Sequence, residues 1–271
     1  MLLSTRELAR RVERAEIDFC AIGASHEAGG RAHTLDVGGG RAVFGRLGSP
    51  LNKVLGLGLQ GAVEDGDLDA LERFYGERRS PIAIELCPLG APDLPARLCA
   101  RGYVPQSFEN ELVRPLPALD LPPTREADGP VVEAASAGDE WLDAVAEGFA
   151  ADEMTEAPAS SKTIADTADV MRGFLHPGIV RYIARIDGSI AGGGASYAVG
   201  DVLGIFGTST MAGFRRRGVQ RAMVMWAMAN APREATLAVA TTEPGSTSQR
   251  TFERLGFQVV YTRTIFVRPA T

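Results

Sequence analysis

Residues 207–228, GTSTMAGFRRRGVQRAMVMWAM, decide how the rest of this chain is interpreted. Just before them, the β-favouring residues Leu203, Ile205 and Phe206 predict a strand, and Ala212-Gly213 predicts a turn. Further on, apolar residues recur at the spacing of one helix face, and these are Val219, Ala222, Met223 and Trp226. This period of about 3.6 residues predicts a helix directly after the strand and the turn.

The start of this helix has the properties of an anion site. Unpaired N–H groups of the first turn and the positive end of the helix dipole attract negative charge at the same place. Gly218 would let a phosphate approach the main chain without a Cβ in the way. Four arginines lie in the same stretch, although the net charge of the chain is −6. They are Arg215, Arg216, Arg217 and Arg221. A basic run is also a common solvated helix face, so the motif alone is weak.

The context strengthens the motif. The order of strand, Arg215-x-x-Gly218-x-Gln220 and helix resembles the pyrophosphate loop of the GNAT superfamily of N-acetyltransferases. Some thirty residues later, residues 253–257, ERLGF, resemble the second signature of that family, a helix that ends in Gly-Phe before a strand. The resemblance covers roughly residues 130–271. It implies an α/β fold with a mixed sheet and helices on both faces, and the predicted order β-α-α-β-β-β-α-β-α-β agrees with it.

Composition favours a soluble globular protein of two domains. The chain has 271 residues, of which 45% are hydrophobic and 23% charged, and no apolar run reaches the length of a membrane span. Three cysteines without a CxxC pair and three histidines predict reduced thiols, no structural metal and a cytoplasmic location. The acidic pI of about 5.3 argues against a nucleic-acid partner. We expect no membrane partner, and a monomer or homodimer.

A proline-rich stretch divides the chain. Residues 114–130, RPLPALDLPPTREADGP, contain five prolines among acidic and small residues, which is a linker composition. The sequence therefore predicts a first domain at 1–115, a linker at 116–129 and a second domain at 130–271.

The two halves end alike. Gly102 and Arg114 recur as Gly256 and Arg268, and the residue-number difference is 154 in both pairs. The same offset aligns predicted strands and helices upstream, so we interpret the first half as a second GNAT-like unit in tandem. An unrelated α/β domain is the alternative. Near the start of this half, Gly38-Gly39-Gly40 predicts a hairpin turn in preference to a phosphate cradle, because no basic residue or helix start follows it closely.

The first half lacks the basic turn. At the offset of 154, residues 61–66, GAVEDG, stand where the second half has residues 215–220. Glu64, Asp65 and Asp67 would repel a pyrophosphate at a partly dehydrated site. We therefore expect a degenerate unit without a cofactor site.

The resemblance implies acetyl-CoA as donor and a primary amine of a small molecule as acceptor. It implies that the phosphates contact the helix start and that the pantetheine arm pairs with the strand before it. The thioester would lie where the strands carrying Thr208 and Leu237 splay apart. The cofactor residues that this predicts are Thr208, Ser209, Thr210, Arg216, Arg217, Gly218, Val219, Gln220 and Arg221. Asp152 and Glu153, in the loop that covers the acceptor site in this family, are candidates for binding the amine.

The catalytic groups depart from the family pattern. Glu243, after the strand at 237–241, is a candidate general base, since an ammonium must lose its proton before attack. The alternative is that Glu243 is an ordinary turn residue without a catalytic role. Phe252 stands where many members have a tyrosine that protonates the thiolate, and Gly245 where an asparagine is usual. Three alternatives follow from this departure: the thiolate leaves unassisted, another hydroxyl replaces the tyrosine, or the domain no longer catalyses. The replacement hydroxyls to consider are those of Ser246, Ser248 and Tyr261.

Two functions remain open at this point. The first is an N-acetyltransferase that acts on a small amine. The second is an acetyl-CoA sensor or interaction module that kept the cofactor site and lost turnover, and Phe252 is the residue that favours it.

Overall fold

The computed structural model describes residues 4–27, 32–117, 129–136, 138–150, 168 and 170–270. The chain forms two compact units, and neither is a single uninterrupted segment. The first unit consists of Met1–Leu112, Thr241–Pro244 and Val259–Thr271, and the second of Val113–Ala240 and Gly245–Gln258. Each unit is a mixed sheet with helices packed on it, which confirms the predicted α/β class and the tandem GNAT-like fold. Within the described residues, no helix is both long and apolar enough to cross a membrane.

The first unit contains a long amphipathic helix and a sheet in which β3 and β4 are parallel. Its elements in chain order are α1 (Arg6–Glu27), β1 (His33–Val37), β2 (Gly40–Phe44), β3 (Lys53–Leu55), α2 (Asp65–Gly76), β4 (Ile82–Leu86), α3 (Leu94–Ala100) and the first part of β5 (Val104–Pro115). The strands β1, β2 and β3 pair antiparallel in turn. A core of aliphatic residues with Phe44, Tyr75, Tyr103 and Phe266 fills the space between this sheet and α2 and α3.

The second unit contains residues 207–228, with the predicted strand, turn and helix. Its elements are β6 (Val131–Ala134), α4 (Gly138–Ala150), β7 (Val180–Ile186), β8 (Ser189–Val199), β9 (Val202–Thr210), α5 (Val219–Ala229), β10 (Leu237–Thr242) and α6 (Thr247–Arg254). The strand order is β10-β9-β8-β7-β6. Only β9 and β10 are parallel; the others form an antiparallel meander. On the predicted helix face Val219, Ala222 and Met223 are buried, and Trp226 is half-buried.

The internal repeat is visible in the elements themselves. The offset of 154 residues carries the first residue of α2, Asp65, onto the first residue of α5, Val219. It carries α3 onto α6 and β4 onto β10 to within one or two residues, and it carries β5 onto the last strand, β11 (Gln258–Arg268). A feature that the sequence reasoning missed also fits this offset, because Gly38-Gly39-Gly40 corresponds to Gly192-Gly193-Gly194.

The strand β11 lies in the first unit, although it follows α6 of the second unit directly in the chain. It pairs antiparallel with β4 over five residues, from Thr264 opposite Leu86 to Arg268 opposite Ile82. The compact units therefore differ from the predicted segments 1–115 and 130–271. Most of the predicted linker, 116–129, lies outside the described residues.

The two repeats treat the start of the equivalent helix differently. In α2 the carboxylate of Asp67 accepts a hydrogen bond from the Glu64 N–H at 2.9 Å. The neighbouring Asp65 pairs with Arg97 at 2.8 Å, and Arg97 holds the pKa of Asp65 below its usual value. Acidic side chains thus lie at this helix start, where the second unit has Gly218 and its arginines, and the absence of a cofactor site in the first unit stays a prediction.

Candidate functional site

The turn before α5 leaves its helix start open. Gly218 is the N-cap residue, with φ of 79°, and no side chain of the described residues caps the helix there. A Cβ at this position would meet nothing within 4 Å, so the space in front of the glycine is free. The Gly218 carbonyl accepts from the Ala222 N–H at 2.9 Å, which leaves the preceding N–H groups of the first turn without helical acceptors. This is the geometry of an anion-binding helix N-terminus.

The strand that leads into the turn separates from its parallel neighbour. The last pair between β9 and β10 joins Gly204 to Val239, whereas β9 continues to Thr210. Six residues of β9 therefore extend past the fork without β10 as a ladder partner. This agrees with the predicted splay of the strands that carry Thr208 and Leu237.

A β-bulge shapes the same segment of β9. Gly193 pairs with Ser209 and Ala195 pairs with Phe206, so two residues of β9, Gly207 and Thr208, oppose one residue of β8. Gly207 has φ of 61°, a left-handed conformation that glycine adopts without steric penalty. On the opposite strand, the Gly194 carbonyl accepts a hydrogen bond of 2.8 Å from the indole of Trp141, a buried residue of α4. Bulge and helix are therefore fixed together.

The three predicted strand residues have different surroundings. Ser209 is buried against α4, and its hydroxyl donates to the Ala144 carbonyl at 3.5 Å. Thr208 and Thr210 are half-buried. Thr208 points to the α5 side, where its hydroxyl oxygen lies 3.3 Å from Nε2 of Gln220. A pantetheine arm could thus meet the backbone of this segment and the hydroxyl of Thr208, but not that of Ser209.

Gln220 connects the turn to α6, a contact that spacing alone did not reveal. Its Nε2 donates to Oγ of Ser248 at 2.8 Å as well as to Thr208. The structure therefore brings three of the predicted residues together beside the open helix start. The sequence contained one signal, because Gln220 and Ser248 are each the second residue of their helix. The distance between the two side chains was not predictable.

The predicted arginines lie in the turn before α5 and in its first helical turn. Arg216 and Arg217 are exposed and Arg221 is half-buried. Arg217 lies 3.5 Å from Asp187 and its guanidinium stacks over Phe214 at 5.7 Å. Arg216 has φ of 61°, a left-handed conformation that is unfavourable for a residue with a Cβ. Val219 is buried in the helix face and contributes only its backbone to the site.

Phe252 is a packing residue in this structure. It is buried, and its ring contacts Phe257 edge-on with centroids 5.0 Å apart. Ser246, one of the hydroxyls considered as a substitute for the missing tyrosine, caps α6 by accepting from the Gln249 N–H at 3.0 Å. The contact with Gln220 gives Ser248 a position beside the open helix start of α5.

Two candidate catalytic residues belong to the first unit. Glu243 follows β10 and its side chain is exposed. Tyr261 lies on β11, is buried, and donates to Glu13 Oε1 at 3.0 Å. Burial raises the pKa of Tyr261 well above its ordinary value, and the charge of Glu13 raises it further. The surroundings of Tyr261 are therefore those of a structural hydroxyl. The amine-binding candidates Asp152 and Glu153 lie outside the described residues.

Tyr261 is part of a buried ion cluster centred on Arg263. The Arg263 guanidinium is fully inaccessible and contacts four carboxylates from α1, β4 and β5. The contacts are to Glu13 at 2.9 Å, Glu16 at 2.5 Å, Glu85 at 3.2 Å and Glu111 at 2.9 Å. Lys53 on β3 pairs with Glu85. Burial raises the pKa values of Glu13 and Glu111 although Arg263 lowers them.

An aromatic cluster covers the sheet beside the fork. Phe206, two residues past the last β9–β10 pair, packs against Phe174 and Tyr197 with ring centroids 5.0 and 5.7 Å away. The three members come from separate elements, so local sequence patterns do not predict this cluster.

Comparison with known proteins agrees with this geometry. The sequence model of the acetyltransferase (GNAT) family matches residues 142–257. No curated protein sequence matches the chain. Among solved structures, a GCN5-related N-acetyltransferase from Kribbella flavida is similar over 97% of this chain and 96% of its own, with a TM-score of 0.71 and 18% identity.

Two further structures share the fold at lower similarity. A tandem GNAT protein from the clavulanic acid biosynthesis pathway covers 86% of this chain and 78% of its own, with a TM-score of 0.57 and 16% identity. A GCN5-related N-acetyltransferase from Sphaerobacter thermophilus covers 88% and 75%, with a TM-score of 0.55 and 15% identity. At these identities the likeness concerns the fold. The chain therefore has a tandem GNAT fold, and its residues 142–257 match the sequence model of the acetyltransferase (GNAT) family.

Proposed function

We propose that this protein is an N-acetyltransferase that transfers an acetyl group from acetyl-CoA to a primary amine of a small molecule. The observation that supports this most directly is the uncapped start of α5 behind Gly218, next to the fork between β9 and β10. The first feature suits the phosphates of coenzyme A and the second suits its acyl end. The acidic pI of about 5.3 argues against a nucleic-acid partner, and the proposal includes a cytoplasmic monomer or homodimer without a membrane partner.

In the proposed reaction, a neutral amine attacks the thioester carbonyl, the C–S bond breaks, and the sulfur leaves with the electron pair. The protein must position the two reactants and assist two proton movements, one from the amine and one to the sulfur. A carboxylate or a chain of water molecules usually takes the first proton. For the second, a thiolate whose conjugate acid has a pKa near 8.5 is a tolerable leaving group without a donor.

Binding and turnover can be tested separately. Calorimetric titration with coenzyme A should give one site per chain, and Gly218→Glu should abolish it, since a carboxylate would occupy the phosphate position. Gly102→Glu, in the first unit, is the matched control, because Gly102 also has a left-handed φ, of 83°, and a Cβ there also meets nothing within 4 Å. Two sites per chain, or binding that survives Gly218→Glu, would contradict the proposal.

The second candidate is an acetyl-CoA sensor or interaction module. The buried, edge-on packing of Phe252 favours it, because no hydroxyl stands at that position to protonate the thiolate. A thiol-release screen with acetyl-CoA against amino acids, polyamines, aminoglycosides and peptides separates the two. Release that depends on one class of amine identifies the enzyme and its acceptor, whereas tight binding without release from any amine identifies the sensor.

A further inference from the structure

We propose that Gln220 is a positioning residue that orients the hydroxyl groups of Thr208 and Ser248, so that both donate hydrogen bonds to the pantetheine arm of acetyl-CoA. This inference depends on the proposed function, because it concerns the same site. It assigns Ser248 a binding role in place of the proton donation considered from the sequence.

The two hydroxyls accept both hydrogens of the side-chain NH₂ group of Gln220. An NH₂ group has two hydrogens to donate. In Gln220 one contact goes to Ser248 Oγ at 2.8 Å and the other to Thr208 Oγ1 at 3.3 Å. All three residues are partly buried, so their side chains have restricted freedom to choose other partners. The amide therefore connects the start of α5 with both β9 and α6.

Donation by Gln220 restricts the direction of both hydroxyl protons. A hydroxyl has one hydrogen and two lone pairs. Because Gln220 occupies a lone pair on each oxygen, neither hydroxyl can direct its own hydrogen toward that nitrogen. Each hydrogen must find an acceptor elsewhere, and a buried donor left without one is unfavourable. Each hydroxyl is therefore available as a donor in the directions that remain.

The position of the donors indicates which part of the ligand accepts them. Thr208 lies four residues past Gly204, where β9 has lost its partner β10. It also lies within hydrogen-bond reach of the second residue of α5, where phosphates would bind. The hydroxyls are therefore between the phosphate end and the fork. The pantetheine arm spans this interval, and its amide carbonyls are neutral acceptors suited to hydroxyl donors.

The proposal predicts that Gln220→Met, which keeps the length of the side chain and removes both donors, weakens coenzyme A binding about five- to tenfold. The dissociation constant of adenosine 3′,5′-bisphosphate, which has phosphates but no pantetheine arm, should change by no more than about twofold. Loss of one hydrogen bond of ordinary strength to this ligand would change it by more than that. Both dissociation constants are measured by calorimetry. Gln106→Met, at an exposed position of β5 in the first unit, is the matched control and should change neither.

A double-mutant cycle tests the coupling. Ser248→Ala should weaken coenzyme A binding by about three- to fivefold in the wild type and much less in the Gln220→Met background. Ser248→Thr should restore most of the affinity, because it keeps the hydroxyl. Equal losses for both ligands, an unchanged affinity for coenzyme A, or additive effects in the cycle would each overturn the role of Gln220. Failure of the wild type to bind coenzyme A would instead overturn the proposed function, and this inference with it.

Discussion

Replacement of Arg263 by methionine is expected to destabilise the first unit strongly at neutral pH. The guanidinium is fully inaccessible and lies within 3.2 Å of Glu13, Glu16, Glu85 and Glu111. Methionine fills much of the same volume but leaves the carboxylates without their shared counter-charge. Removal of one member of a buried ion pair typically destabilises a protein by about 3–5 kcal/mol, so we expect at least about 3 kcal/mol here.

The same reasoning gives a sign for the pH dependence. Burial already raises the pKa values of Glu13 and Glu111, and loss of Arg263 would raise them further, because its positive charge lowers both. Protonation relieves the repulsion among the carboxyl groups. The penalty of Arg263→Met should therefore be smallest near pH 5 and should grow toward pH 8, since the folded variant holds protons that the unfolded chain releases.

Chemical denaturation at pH 5, 6, 7 and 8 measures this penalty directly. Arg268→Met is the control on the same strand: Arg268 also pairs with a carboxylate, Glu72 at 2.7 Å, but its side chain is 27% exposed. We expect that control to lose at most about 1 kcal/mol, with little pH dependence. If Arg263→Met costs no more than the control, or if its penalty is the same at every pH, the reasoning about the buried cluster is refuted.

Three further predictions follow from the same structure. The wild-type protein should lose stability as pH rises from about 5 to about 7, because burial raises the pKa of Glu109 to about 7 and in this range the folded state binds a proton that the unfolded state lacks. Glu109→Gln should reduce the slope of the unfolding free energy between pH 5 and 7, and an unchanged slope contradicts this. Phe252→Tyr should leave the thiol-release rate within a few-fold or raise it, while Phe252→Leu should lower the melting temperature with little effect on rate, since the ring only packs against Phe257; a hundredfold loss of rate in the leucine variant at an unchanged melting temperature would mean that Phe252 acts directly. A protein of residues 125–271 should be aggregated or poorly folded by circular dichroism and gel filtration, because its β11 lacks β4, the strand with which it pairs; a stable monomer with full coenzyme A binding refutes this.

The sequence was sufficient for the second unit wherever local pattern and local structure coincide. β9, the turn and α5 form within one stretch of about thirty residues, and the φ of 79° at Gly218 is a conformation that its residue type favours. The contrast between the two equivalent helix starts was also predictable, because Asp67 and Gly218 each affect only the first turn of their own helix.

Long-range placement was not predictable from pattern. Tyr261 and Glu243 were assigned by their distance along the chain from the second-unit motifs, but the structure places both in the first unit. Alternation along β11 indicates which residues share a face and says nothing about the neighbouring strand. The contact of Gln220 with Ser248 is of the same kind, since it joins residues 28 apart.

The presence of β11 in the first unit also sets an order of events during synthesis. Leu112 leaves the ribosome long before Val259, the first residue of the last segment of that unit. At 5–20 residues per second, the nearly 150 residues between them take roughly 7–30 s to translate. Throughout this interval Glu13, Glu85 and Glu111 have no Arg263 to neutralise them. The N-terminal part of this chain should therefore emerge first and complete its fold last, and a nascent chain arrested before Arg263 should remain sensitive to protease over its first 112 residues.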